Sequence, residues 1–172
     1  MKIPRIAYAA YGFALLVIVL DQLTKVWVIQ GLDLPEVRQI VVWDPVFSLT
    51  WVRNFGVSFG LFGDGSARWL LTAFSIGVSA FLAVWATRTD RRLLISAIGL
   101  VMGGALGNVI DRIRFGYVVD FLDVSGLGFP WVFNIADAAI NVGVALLILD
   151  TLLSERAARR QAGGGGAGES PP

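Results

Sequence analysis

The chain has 172 residues, 56% of them hydrophobic and only 16% charged, with a mean hydropathy of +0.71. Soluble domains carry about 25% charged residues, so this is the composition of a one-domain membrane protein. A formal net charge of +1 with no basic face argues against nucleic acid as a partner. The absence of both Cys and His excludes disulfides, thiolate nucleophiles, Ser-His-Asp triads and histidine or thiolate metal sites. Proton transfer is left to carboxylates, or to Lys25 with a Ser.

A bilayer core of about 30 Å is crossed by about 20 apolar residues in a helix. The first such stretch, 7–29, follows the basic start Met1-Lys2-Ile3-Pro4-Arg5. It lacks a small-residue cleavage site and is read as a retained helix. Residues 31–66 are too broken to span. Residues 37–43 and 46–52 are β-rich and meet at Asp44-Pro45, and Phe47, Leu49 and Trp51 alternate with Ser48 and Thr50. That period predicts a hairpin at the membrane surface with its aromatic side toward lipid headgroups or substrate. Gly60, Gly63 and Gly65 form a flexible link.

Further spans are predicted at 67–87, 93–112 and 132–152. Gly99, Gly103 and Gly107 on the third, with Ala139 and Gly143 on the fourth, predict that these two helices pack closely. The loop between them holds Asp120, Asp123 and Gly126-Leu127-Gly128-Phe129, the last expected to be a mobile lid whose glycines matter to turnover more than to stability. Residues 1–153 are thus read as one membrane-embedded domain. Residues 154–172, which end in a glycine run and Pro171-Pro172, are read as a disordered cytoplasmic tail.

Eight basic residues precede the first span, join the second to the third, or follow the fourth; Arg38, Arg53, Arg68 and Arg114 lie on the opposite side. The positive-inside rule places both termini in the cytoplasm. Asp21 and Lys25 then fall at the outer end of the first span, and Asn108, Asp111 and Arg112 at the outer end of the third. Asn134, Asp137 and Asn141 fall in the outer half of the fourth. An Asp near a helix centre costs about 2.5–3.5 kcal/mol on insertion scales, so a shared depth for so many polar groups suggests one site.

Asn134 and Asp137 stand at i and i+3 on one helix face, and Asn141 continues it. A polar seam between helices is the plainer reading, although Asn or Ser would serve a seam better than an ionisable Asp. Asp111 and Arg112 point apart, and as interface residues they would simply reach toward water. Asp120 lies in a predicted loop, where an Asp is normally solvated, but its setting is apolar and it falls between two polar helix ends; Asp123 ranks below it. Asp21 and Lys25 form an i, i+4 ion pair, which suffices to explain both. A serine–lysine mechanism would recruit Ser48 or Ser58, but it needs a neutral Lys25, and an adjacent Asp21 favours the charged ammonium. Two carboxylates in a poorly hydrated site share a proton and hydrolyse peptides as base and acid. Asp120 and Asp137 are the best pair by depth.

Asp21-Gln22-Leu23-Thr24-Lys25, Asn54-Phe55-Gly56-Val57-Ser58-Phe59 and residues 103–112 occur in order with Val118-Val119-Asp120-Phe121 and Phe133-Asn134-Ile135-Ala136-Asp137. In these five boxes the chain resembles the lipoprotein signal peptidase (signal peptidase II) family over residues 15–145. The resemblance implies an all-α polytopic membrane fold of four transmembrane helices with a small β element on the outer, periplasmic side. It implies a catalytic dyad of Asp120 and Asp137, site-lining roles for Asn54, Asn108, Arg112 and Asn134, and structural support from Asp21 and Lys25, to which Asp111 and Asn141 are added as supports. It further implies cleavage of diacylglyceryl-modified prolipoproteins before the lipidated Cys, at the outer face of the bacterial inner membrane. No metal or other cofactor, sensitivity to globomycin-type cyclic peptides, and action as a monomer in membrane lipid complete the expectation. Val57-Ser58 departs mildly from the small alanines common in the second box, which touches inhibitor and substrate contacts. Presenilin-like and prepilin peptidases use a Gly-x-Gly-Asp box, absent at Asp111 and Asp120. A transporter or proton relay built on Asp21 and Asp137 would spread its polar groups over several depths.

Overall fold

The structure, a computed structural model, describes residues 4–56 and 66–164. Four helices are long and apolar enough to cross a membrane: Ala7–Gly31, Ala67–Ala86, Arg92–Phe115 and Ile135–Arg160. The first joins α1 (Ala7–Val26) to a π-helical turn, Trp27–Gly31, and a short α2 (Leu34–Val37) follows. The other three are α3 (Ser66–Ala86), α4 (Arg92–Phe115) and α5 (Ile135–Gly164). Gly116 ends α4 in the left-handed region at φ +83, and its N–H caps the Arg112 carbonyl. Helix α5 runs to Gly164 and so overturns the expectation of disorder from residue 154. Glu, Arg, Gln and Ala over 155–162 are good helix formers, and the helix ends only inside the glycine run. Residues 57–65, which include the Gly60–Gly63–Gly65 link and Ser58, and residues 165–172 lie outside the described part.

Helix α4 is the hub, because its small residues let two neighbours reach its backbone. A Cβ added to Gly99 or Gly103 would lie 2.7 Å from the carbonyl oxygen of Ala10 or Ala14 on α1. One added to Gly104 would strike the Ala136 carbonyl of α5, and Gly143 approaches Ala97 in return. The stripe Gly99–Gly103–Gly107 therefore serves α1 at its first two positions and meets both α1 and α5 at Gly107. Spans three and four do pack closely, but through Gly104 and Gly143. A four-residue spacing marks a close-packing face and says nothing of which helix fills it. Helices α3 and α5 scarcely touch one another, while α1 and α4 contact both.

At the other end of the bundle from the α1 and α4 C-termini, Arg91 forms an ion pair with the buried Asp150 and ties the start of α4 to α5. At the near end sits one antiparallel sheet, ordered β1 (Gln39–Trp43), β2 (Phe47–Asn54), β3 (Val118–Asp123), β4 (Val132–Phe133). The predicted hairpin is β1–β2. Two features differ. Residues 118–121, read as loop, are a buried strand that pairs Val52 with Asp120 and Arg53 with Val119. Its β-branched and aromatic residues suit a pleated, covered surface. The alternating face of β2 also points inward: Leu49 and Trp51 are buried with Val28, Leu34, Val119 and Phe121. The outward apolar residues are instead Val41, Val42 and Trp43 of the edge strand β1.

The expected lid touches the hairpin turn at one end. Gly126, in the 3-10 turn Ser125–Leu127, lies directly on the Pro45 backbone, and Gly128 adopts φ +81. A Cβ at Gly126 would strike the Pro45 carbonyl, so Gly126→Ala requires the turn or the hairpin to shift. Gly103→Ala is expected to destabilise the bundle by about 1–3 kcal/mol, because the facing atoms are α1 backbone. The check is the midpoint of thermal unfolding in detergent, and an unchanged midpoint would mean that α1 does not sit this close.

Candidate active site

Five elements deliver polar side chains to the sheet end of the bundle. Asn134 immediately precedes α5, and its Oδ1 accepts the Asp137 N–H at 2.8 Å while Asp137 Oδ2 accepts the Asn134 N–H at 3.3 Å. This reciprocal cap places Asp137 in the first helical turn, where the helix dipole favours a carboxylate. The other Asp137 oxygen accepts from Asn108 Nδ2 at 2.8 Å. Asp120, on β3, is 1% exposed. Its oxygens accept from Asn134 Nδ2 at 2.7 Å and from Asn54 Nδ2 at 3.0 Å. Asn134 Nδ2 also reaches Asn108 Oδ1 at 3.2 Å, so one amide network joins both carboxylates.

Burial pushes the Asp120 carboxyl up to about 7, and the neighbouring Asp137 carboxylate pushes it further the same way, against the lowering effect of the Asn54 and Asn134 hydrogen bonds. Half-buried Arg112 lies within electrostatic reach of Asp137, Asp111 and Asp120. A cleft of about 410 Å³ opens beside Asp120, lined by Arg53, Asn54, Gly56, Pro130 and Trp131. A water between two such carboxyl groups has a base on one side and an acid on the other.

The remaining candidates sort by position. Asp111 is fully buried and does not reach toward water: its Oδ2 lies 2.7 Å from Lys25 Nζ, which also binds Asp21 Oδ2 at 2.8 Å. Lys25, 2% exposed, is thus enclosed by carboxylates, and no serine hydroxyl hydrogen-bonds to it among the described residues. Ser48 stands away on β2 opposite Asp123. Asp123 accepts from Thr50 Oγ1 at 2.7 Å and from the Ser125 N–H, and the Thr50 bond in particular holds its carboxyl below the usual range. It joins strands and takes no part in the amide network. Asn141 is exposed on α5 with no hydrogen-bond partner among the described residues, so it does not extend the polar face inward to α4. Sequence reasoning gave no role to Gln22. Its Nε2 donates to Asp111 Oδ1 at 2.9 Å, and its Oε1 accepts from Arg114 at 3.3 Å. A glutamine between Asp21 and Lys25 at a span's polar end was the available signal.

A family model described as signal peptidase (SPase) II matches residues 13–153. The chain belongs to the signal peptidase II family. It is 51% identical to the lipoprotein signal peptidase of Caulobacter vibrioides, with 90% of this chain and 93% of that one covered. It is 47% identical to the lipoprotein signal peptidase of Beijerinckia indica over 84% of this chain and 87% of that one. Among solved structures, it resembles a bacterial membrane enzyme determined by the in meso method at 1.9 Å, with a TM-score of 0.74 and 29% identity over 83% and 92% of the two chains. A second such enzyme, at 2.3 Å, gives a TM-score of 0.71 at 26% identity over 95% and 94%. The membership makes this chain a membrane protease, and signal peptidase II function sets aside the transporter reading.

The raised pKa of Asp120 has a consequence for the stability of the protein. The folded state holds the proton more tightly than the unfolded chain, whose carboxyl titrates near about 3.9. The contribution is complete below that value and is lost as pH rises through about 7. Wild type is therefore expected to lose thermal stability between about pH 4 and 7 relative to Asp120→Asn, which has nothing to titrate there. Parallel melting curves across that window would contradict the assignment.

Proposed function

We propose that the chain removes the signal peptide from diacylglyceryl-modified prolipoproteins, cutting before the lipidated Cys, with Asp120 and Asp137 as an aspartic dyad. The observation that carries this reading is the pair of carboxyl groups joined by one amide network, with the Asp120 carboxyl pushed up to about 7. The ionised member takes a proton from water as the water oxygen attacks the scissile carbonyl carbon. The protonated member donates to the carbonyl oxygen, giving a neutral tetrahedral diol. That diol then collapses: the C–N bond breaks, the leaving nitrogen takes the proton of the protonated carboxyl, and the ionised carboxylate takes a hydroxyl proton of the diol, which restores the singly protonated pair. Arg112 is placed to balance the charge of the ionised member.

The membrane geometry supports the substrate assignment. With the termini in the cytoplasm, as the basic residues predict, the sheet and the polar layer lie at the outer face. A diacylglyceryl group kept in the outer leaflet brings the bond beside its Cys to that level. The cleft along Asn54, Gly56 and Trp131 then receives the extended peptide, and globomycin-type cyclic peptides would occupy the same space.

The deciding experiment follows a diacylglyceryl-modified prolipoprotein by gel mobility. Asp120→Asn and Asp137→Asn are each expected to slow cleavage by at least about 10²-fold while remaining folded. Cleavage at a wild-type rate by either variant would remove that residue from the dyad.

A further inference from the structure

The cluster formed by Lys25 stands apart from the carboxyls of the proposed dyad, yet its branches end on the peptides just before Asp120 and Asp137 and, through Asn108, on the Asp137 carboxyl. Asp111, bound to Lys25 at 2.7 Å, accepts the backbone N–H of Val119 at 3.0 Å, one residue before Asp120. Asp21, bound to Lys25 at 2.8 Å, accepts the backbone N–H of Ala136 at 3.0 Å, one residue before Asp137. The third Lys25 contact is Asn108 Oδ1 at 3.4 Å, which orients that amide so that its Nδ2 faces Asp137. Asp21, Lys25 and Asp111 are all 2% exposed or less.

A lone helical ion pair would explain the Asp21–Lys25 contact, and a salt bridge between helices would explain Asp111. Besides a shared bond from Gln22 Nε2, each carboxylate also accepts the peptide N–H directly before a dyad residue, which neither contact explains. The two acceptors come from α1 and α4, while the two N–H donors belong to β3 and the start of α5. An ammonium with three donors is the one side chain that satisfies both carboxylates and the Asn108 oxygen from a single point.

We infer that Lys25 is a positioning residue whose charge sets the separation and orientation of Asp120 and Asp137, through Asp111 to the Val119 peptide, Asp21 to the Ala136 peptide, and Asn108 to the Asp137 carboxyl. This rests on the dyad reading above and adds to it. Lys25 does not touch the reacting atoms. Its removal leaves two buried carboxylates that repel, which draws the Val119 and Ala136 peptides apart and lets the Asn108 amide turn.

The readout is kinetic. The groups that face the dyad are Arg112, Asp111 and Asn108 from α4, Lys25 and Asp21 from α1, Asn54 and Arg53 from β2, and Asn134 ahead of α5. Lys25→Met, purified in detergent and assayed on diacylglyceryl-modified prolipoprotein, is expected to show kcat reduced by about 10²-fold with KM changed little. Its alkaline limb is expected to move by about one pH unit, because the coupling between the carboxyls depends on their separation. A role in folding alone would reduce the amount of active enzyme and leave the pH profile of the remainder in place. If Lys25→Met does not fold, Asp111→Asn, which keeps an oxygen for Val119, is expected to show the same displaced limb with a smaller loss of kcat. A folded variant with the wild-type pH profile, or losses that track folded protein alone, would overturn the inference. Asp120→Asn and Asp137→Asn in the same assay separate the two failures: active dyad variants count against the dyad, whereas inactive dyad variants beside an unshifted Lys25 or Asp111 variant count against the positioning role only.

Discussion

Gly103 and Gly104 are adjacent in sequence and face different helices, so α4 meets α1 on one side and α5 on the other with almost no side chain between. That double approach is the constraint on which the rest depends. In lipid there is no hydrophobic drive for helices to associate, and close backbone contact supplies dispersion in its place. Because α1 and α5 both register against α4, Asp21, Asp111 and the first turn of α5 arrive at one depth. Gly107 shows how tight the junction is: an added Cβ would lie 2.9 Å from Asp21 Oδ2 and 3.4 Å from the Ala136 Cβ.

At that depth charge is expensive, and the structure separates two solutions to it. Around Lys25, two carboxylates and an ammonium are packed with little exposure and satisfied by backbone and amide donors. Around Asp120 and Asp137, the donors are neutral amides, with Arg112 nearby instead of in contact. Neutral donors orient a carboxyl without fixing its charge as firmly as an ion pair does, which leaves protonation open. A buried ion pair placed directly on Asp120 would hold it ionised and end its use as an acid.

Much of this was legible in the residues. The four spans follow from apolar runs with polar ends, and the shared depth of Asp21, Asn108, Asp111, Asn134 and Asp137 followed from placing those runs. Illegible were the relations that need a partner from elsewhere in the chain. Strand β3 looked like loop because its pairing partner β2 lies more than sixty residues earlier, as the Asn54–Asp120 bond does. The alternation in β2 marked two faces correctly, but only the core formed by Val28, Leu34 and Phe121 decides which is inside. Gly126 looked free because nothing local announces the Pro45 backbone above it. Asn141 shared a helical face with Asp137 by number, yet that face turns outward within one turn.

The reciprocal cap between Asn134 and Asp137 also bears on how the enzyme comes into being. The amide that starts α5 is the same one that holds Asp120, and the first α5 peptide to find an outside acceptor finds it on Asp21, near the beginning of the chain. No partial assembly of the first three spans contains this junction. The amide network is complete only where the start of α5 meets Asp21, Asn108 and Asp120, so it draws on residues from both halves of the chain.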